Sequence, residues 1–339
     1  MKNSILKSFA IACLLSCAAS GVVLAQESRN PSRARSAASL LASLPPSDAV
    51  ALINVNRVFD EAMPKLLAEN PAKAAELADE LAKFKTQTGL DPRSFQQIAL
   101  GLGYTYPSAG ITKITTAAIA RGTFNAGALV AAGRLAANGK YVERKYQGKT
   151  IYVFSLDRQV KLLGLWNIKV SDLAVSSLDG NTLALGNLES VEAVINATRT
   201  RKYANPQLVA LASRDPNAIM GFGGNISEAL MNNLRVTNDS VARELTAVRQ
   251  VYGSLGMTST DLELMLTART VDSDSAKNLS DTVEGLMQLG TFFLGRLSPV
   301  KETLARSALK NLRVTTQGNE LQIRTAVAQA QVAPLIRGN

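Results

Sequence analysis

One order of segments occurs twice in this chain, and that recurrence restricts the fold more than any single motif. Pro46-Ser47-Asp48-Ala49-Val50 opens the apolar run 49–55, which has the length and continuity of a buried strand. Two helical stretches follow, then Gly89, then a second apolar run at 98–102. Asp215-Pro216-Asn217-Ala218-Ile219 opens the same series, with Gly256 and a run at 262–267 in the matching places. The spacings agree: 89 − 49 = 40 and 256 − 218 = 38. The ends agree too. Residues 175–185 and 314–323 each read strand, glycine turn (Gly180, Gly318), strand, and a helix follows. This predicts an α+β fold of two tandem related units, each an antiparallel sheet with helices packed on one face. The expected divisions are a signal peptide at 1–25, a tether at 26–44, and units at 45–200 and 206–336.

Local signals place the elements. Asn56 starts a helix to Glu69, kinked at Pro64, and Asn70-Pro71 starts another. The second carries Ala74, Leu77, Ala78, Leu81 and Phe84 on one face and ends at Gly89. A further helix spans 126–137. Hairpins are predicted at 141–154, turning at Gln147-Gly148, and at 173–185, turning at Asp179-Gly180. Asn187 caps the next helix. The first unit is longer mainly through hairpin 141–154 and segment 158–170.

The opening Leu44-Pro45-Pro46-Ser47-Asp48-Ala49-Val50-Ala51, the glycine after two helices and the strand–turn–strand–helix close resemble a group of exported bacterial proteins. That group carries a duplicated α+β domain of unknown function. The resemblance covers most of residues 44–336 and implies fold and export, with no activity to carry over.

The first residues have the three parts of a signal peptide. Lys2 and Lys7 supply charge, residues 9–15 an apolar run, and Val23-Leu24-Ala25 the small residues before a cut between Ala25 and Gln26. Leu14-Leu15-Ser16-Cys17 offers an alternative, an outer-membrane lipoprotein acylated at Cys17, although residues 18–25 stay apolar where a tether is usually polar. Cleavage at Ala25 leaves 339 − 25 = 314 residues and removes both cysteines, Cys13 and Cys17. Disulfides and thiolate metal sites are then excluded, so stability must come from a buried core. The chain has no histidine, which removes Ser-His-Asp and Cys-His nucleophiles, zinc-protease helices and imidazole bases. No cofactor is expected. No segment after the leader is long and apolar enough to span a bilayer. The cleaved chain carries (37 − 2) − 27 = +8, which suits an envelope protein, a membrane headgroup or a polyanion. Export to the periplasm or beyond makes nucleic acid the poorest fit.

Several short motifs have structural readings. Ser298-Pro299-Val300-Lys301 has the S-x-x-K spacing of serine–lysine acyl enzymes, and Tyr203-Ala204-Asn205 resembles a second motif of that class, but their order is reversed and no Lys-Thr-Gly follows. Ser298 reads better as a helix cap. Asp272-Ser273-Asp274 begins like a calcium loop but lacks its glycine and closing glutamate, and reads as a cap. Glu69, Glu76, Asp79 and Glu80 beside Lys73 and Lys83 read as a solvated helix face. Gly101-Leu102-Gly103 and Gly221-Phe222-Gly223-Gly224 lack phosphate-loop spacing and mark close backbone approach.

Two stretches stand out as contact surfaces. Hairpin 140–154 interleaves Lys140, Arg144, Lys145 and Lys149 with Tyr141, Tyr146 and Tyr152, within the densest basic block, 134–169. Arg144, Lys145, Tyr146 and Lys149 are the binding candidates. Segment 285–295 is apolar on nearly all sides, which predicts burial or an apolar partner at Leu289, Phe292 and Phe293. The expected function is a non-catalytic envelope binding or adaptor module, the alternative being a carrier of an apolar, lipid-like ligand. An enzyme would have to use carboxylate or lysine chemistry.

Overall fold

The computed structural model describes residues 37–88, 91–108, 111–162, 166–233 and 239–336. The expected cleavage site at Ala25 and Gln26, and Cys17, lie outside these residues.

A helical turn, α1, occupies residues 37–41. Strand β1 (Ala49–Asn54) leads into one helical path, α2, made of an α-turn Val55–Arg57, a π-turn Val58–Ala62 and an α-segment Met63–Leu67. The wider turn precedes Pro64, whose ring nitrogen cannot donate to the helix ladder. Next come α3 (Pro71–Thr88), β2 (Phe95–Ser108), β3 (Ile111–Gly122) and α4 (Ala126–Ala136). Then follow β4 (Tyr141–Tyr146), β5 (Lys149–Leu162), β6 (Trp166–Asp179), β7 (Thr182–Gly186), α5 (Leu188–Thr200) and α6 (Pro206–Ala212). The remaining elements are β8 (Met220–Asn225), α7 (Glu228–Asn233), α8 (Asp239–Thr246), β9 (Val248–Met257) and β10 (Asp261–Thr270). They end with α9 (Ser273–Phe293), α10 (Pro299–Lys310), β11 (Arg313–Gln317), β12 (Glu320–Ala328) and α11 (Gln329–Ile336).

The chain has the expected α+β class, with an antiparallel sheet and packed helices. Among the described residues, twelve strands form one sheet in the order β11-β12-β10-β9-β8-β1-β2-β3-β7-β6-β5-β4. The two halves meet where β1 pairs with β8, Ala49 opposite Gly224 and Leu52 opposite Gly221. Outward from that junction the first four strands run β1, β2, β3, β7 on one side and β8, β9, β10, β12 on the other.

Alternation along the strands decides which face is dry. Val50, Leu52, Ala99, Ile119, Ala174 and Ala184 share the front face and are buried beneath Leu40 and Leu41 of α1, Val191, Val194 and Ile195 of α5, and Leu208 and Leu211 of α6. The neighbouring Val175 and Leu183 face the back, where Ala126 and Val130 of α4 cover them. Beyond β8 the main core lies on the back: Leu266, Ala268, Leu321 and Ile323 pack with Leu279 and Val283 of α9 and with Leu312. Helices therefore cover both faces of the sheet, where one face had been expected. The strands of the first half are apolar on both sides, and a strand buried on both faces needs two layers of cover.

Three further details differ from expectation. Gly256 lies inside β9, a strand the sequence reading merged with the preceding helices, so β9 rather than β10 is the counterpart of β2 in the sheet order. Helix α3 is peripheral: Leu77 and Leu81 are only half-buried and Ala78 is exposed. Strands β5 and β6 take in residues 158–162 and 166–170 of a segment for which the sequence predicts no element.

Candidate functional site

The basic hairpin forms one edge of the sheet, with β4 as the terminal strand. Gln147 (φ 49°) and Gly148 (φ 78°) both take the left-handed conformation, which matches the strand twist of a two-residue hairpin loop. Pairing of Arg144 with Ile151, Lys145 with Thr150 and Tyr146 with Lys149 then fixes the faces. Arg144, Tyr146 and Lys149 share the front; Lys145 lies on the back with Tyr141 and Glu143.

The four candidates are thus neighbours without forming one cluster. Asn196 of α5 donates from its Nδ2 to the Tyr146 hydroxyl, and Lys149 Nζ donates to the Leu178 carbonyl at 2.7 Å, so these two hold the hairpin to the body. Arg144 makes a long contact with Glu192, 3.8 Å, with its side chain 57% exposed. Lys145 donates to Thr150 Oγ1 at 2.8 Å, lies 3.3 Å from Glu143, and its side chain is 77% exposed. On the back, Arg134 of α4 stacks over Tyr141 and Tyr152 at 5.4 and 5.1 Å, and its Nε donates to the Tyr141 hydroxyl. That stack clamps α4 to the hairpin.

A second polar group, not anticipated from the sequence, lies on the front of the second half. Tyr252 Oη donates to Glu320 Oε2 at 2.9 Å, and Arg214 Nη1 donates to Tyr252 Oη at 2.8 Å. Arg269 donates through Nε and Nη2 to Glu320 Oε1 at 2.9 and 2.7 Å, and through Nη1 to Gln250 Oε1 at 2.7 Å. Gln250 Nε2 continues the chain to Asn225 Oδ1 at 2.9 Å. Register explains the grouping: Arg269 pairs with Gln250 on one side and with Glu320 on the other. Burial pushes the Glu320 carboxyl up, but hydrogen bonds from Arg269 and Tyr252 and the two arginine charges outweigh it and hold it below the usual glutamate value. A general acid needs the opposite shift, so the network is suited to fixing the sheet. The alternation Gln250, Tyr252, Ser254 was readable in the sequence; its partners, up to 68 residues away, were not.

The apolar candidate divides along α9. Leu279 and Val283 are 1% and 3% exposed, whereas Leu286 and Leu289 are 37% and 55% exposed. The expected burial of segment 285–295 is therefore not met at these two leucines, which turn away from the sheet. Between α9 and the sheet, where a carried ligand would sit, Leu279 and Val283 pack against Leu266, Leu321 and Ile323. The side chains of Phe292 and Phe293 lie outside the described set.

The remaining motifs resolve locally. Asp272 Oδ1 accepts from the Ser275 amide at 2.8 Å and caps α9. Ser298 occupies the cap position of α10, but its hydroxyl makes no cap bond, so only position supports that assignment. A shallow cleft of about 270 Å³ separates α3 from α4, lined by Lys85, Asp91, Ser94, Phe124 and Asn125. Among the described residues no group of three or more acidic, histidine or cysteine side chains is placed to hold a metal ion, and no helix is long and apolar enough to cross a membrane.

No protein-family model and no curated protein matches the chain. Among solved structures the chain is similar to crystal form III of TP0453, at 9% identity and TM-score 0.42, covering 88% of this chain and 96% of that one. Crystal form IV of TP0453 gives 9% identity and TM-score 0.44, covering 87% and 95%.

Proposed function

We propose that the chain is an exported, non-catalytic binding module of the cell envelope that engages an anionic surface through the β4–β5 end of its sheet. The observation that carries this reading is the pair Arg144 and Lys145, 57% and 77% exposed on opposite faces of the terminal strand. Adjacent positions on an edge strand let both faces of the hairpin present charge to one flat, negative surface. The signal-peptide pattern at 1–25 supports export, and the charge of +8 left after cleavage, (37 − 2) − 27, supports an anionic partner. We read the halves 45–200 and 206–336 as copies of one unit, supported by their matching strand order.

The competing explanation is that edge-strand charges only block unwanted strand pairing. The test is the double substitution Arg144→Glu, Lys145→Glu. Charge at the edge is kept, so that explanation predicts unchanged behaviour. The binding reading predicts loss of retention on an immobilised sulfated polysaccharide and loss from the envelope fraction, with unchanged far-UV circular dichroism. Undiminished retention would remove this surface from consideration.

A further inference from the structure

Helix α5 lies alongside the basic hairpin, and its far end gathers a second group of cations. Two contacts set its course: Glu192 reaches Arg144, and Asn196 reaches Tyr146. Four residues of helix rise about 6 Å and two residues of strand about 7 Å, so helix and strand advance together. One more step along each brings the last turn of α5, ending at Thr200, level with the hairpin turn Gln147-Gly148. The chain leaving the helix there reads Arg199-Thr200-Arg201-Lys202-Tyr203.

Residues 193–214 contain four cations, Arg199, Arg201, Lys202 and Arg214, and no carboxylate. Arg214 is committed to Tyr252. Residues 198–203 are all exposed, and among the described residues the side chains of Arg199, Arg201 and Lys202 have no hydrogen bond or ion pair. The dipole of α5 favours a cation at this end. Three within four residues also repel one another, and an anion held between them relieves that repulsion. Arg201 takes φ 57° and ψ 25° at the C-cap, a left-handed conformation for which glycine is the usual residue. Its guanidinium offsets none of that strain through contacts with the described residues. The loop is nevertheless fixed, because the Ala204 amide donates to the Leu44 carbonyl at 2.8 Å and both residues are buried.

Arginine presents its donors as a rigid fork that matches phosphate, sulfate or carboxylate, and lysine adds a mobile point charge. Arg144 is a further cation on the front of the same hairpin. The cations thus form two groups along one side of β4 and β5, which a polymer of repeated charge can bridge and a single small ion cannot. A bilayer fits less well, since the exposed stretch 198–203 has no leucine, isoleucine, valine or phenylalanine to enter the acyl boundary. Tyr203, 39% exposed, adds a ring with a hydroxyl at its tip.

We infer that Arg199, Arg201 and Lys202, with Tyr203 beside them, form an anion-binding site that works with the hairpin to hold one strand of an anionic polysaccharide. The inference rests on reading the β4–β5 end of the sheet as anion-binding, and adds a second contact group and the class of polymer.

The purified cleaved chain is titrated calorimetrically with dextran sulfate over a range of salt, and urea unfolding is recorded for each variant. Arg201→Gly is the discriminating change, because glycine suits the left-handed cap. It should weaken binding about tenfold, the effect of one hydrogen bond to a charged group, while the urea midpoint holds or rises. Arg199→Gln with Lys202→Gln should weaken binding about a hundredfold and flatten its salt dependence, because fewer counterions are displaced. A purely structural role for the cluster predicts the reverse, full binding with a lowered midpoint. Full binding by both cluster variants overturns this site; loss in the Arg144→Glu, Lys145→Glu chain then leaves the hairpin surface standing. Absence of binding to dextran sulfate and to phosphatidylglycerol vesicles alike overturns both. Binding to those vesicles but not to dextran sulfate overturns the polymer assignment in favour of a lipid headgroup.

Discussion

Substituting Gly221 with alanine tests how the sheet carries its front layer. Gly221 lies in β8, opposite Leu52 on β1 and Ser254 on β9. A Cβ at this position would stand 2.1 Å from the carbonyl oxygen of Ala212, the last residue of α6. Such atoms essentially never come closer than 3.0 Å, so α6 and the strand must separate by at least 3.0 − 2.1 = 0.9 Å. Leu208, Leu211 and Ala212 are 0%, 8% and 2% exposed and seal this part of the core. A gap of that size forfeits a quarter to a half of the dispersion energy of each contact it opens, and partial relaxation leaves a cost of about 3 kcal/mol. The matched control is Gly256→Ala in β9, where an added Cβ meets nothing within 4 Å. That change should be neutral or stabilising by about 0.5 kcal/mol, because alanine restricts the unfolded chain. Urea denaturation of both variants, with equal slopes, reads the difference directly. Stabilities within about 0.5 kcal/mol of each other would refute the seating of α6 on β8 and the reason given for glycine there.

Two further substitutions test the second half. Glu320→Gln should cost about 2 kcal/mol at neutral pH, the worth of hydrogen bonds to a charged carboxylate. Because the folded Glu320 carboxyl is held below its ordinary value, its contribution is complete above that value and fades as pH falls through the lowered one. Wild type and variant should therefore converge in acid; a difference independent of pH in denaturation curves would contradict the network. Leu321→Ala, at a fully buried position, should cost about 3 kcal/mol, while Leu289→Ala, 55% exposed, should stay within about 0.5 kcal/mol. Equal losses in thermal or urea unfolding would mean that α9 is turned differently on the sheet.

The basic hairpin was largely legible in the sequence, because its register follows from a two-residue turn and from alternation over six residues. The continuation of β5 beyond it and the start of β6 are not predicted by the sequence. Val160, Leu162, Trp166, Ile168 and Val170 alternate as a strand should, but the charged residues between them weaken the signal. Strand β9 was missed for a related reason: Gly253 and Gly256 interrupt its apolar pattern. Exposure of Leu289 had no local signature, since a helix apolar all round does not say which side meets the sheet.

The sequence by itself determined whatever closes within a few residues. Asn125, Asn187 and Asp272 accept from amides three positions on, and the turn at Gln147-Gly148 joins neighbouring strands as expected, while the turn expected at Asp179-Gly180 falls one residue later, at Gly180-Asn181. These follow from short-range hydrogen bonding and backbone sterics, so the chain needs no distant partner to specify them. Only the tertiary structure decided that β1 pairs with β8, that the main core passes from the front of the sheet to its back, and that Arg269, Glu320 and Tyr252 meet. Alternation tells a strand which residues lie together on a face, but not which face is covered or which edge it joins. Those choices are made by apolar area buried across the whole molecule, between residues far apart in the chain.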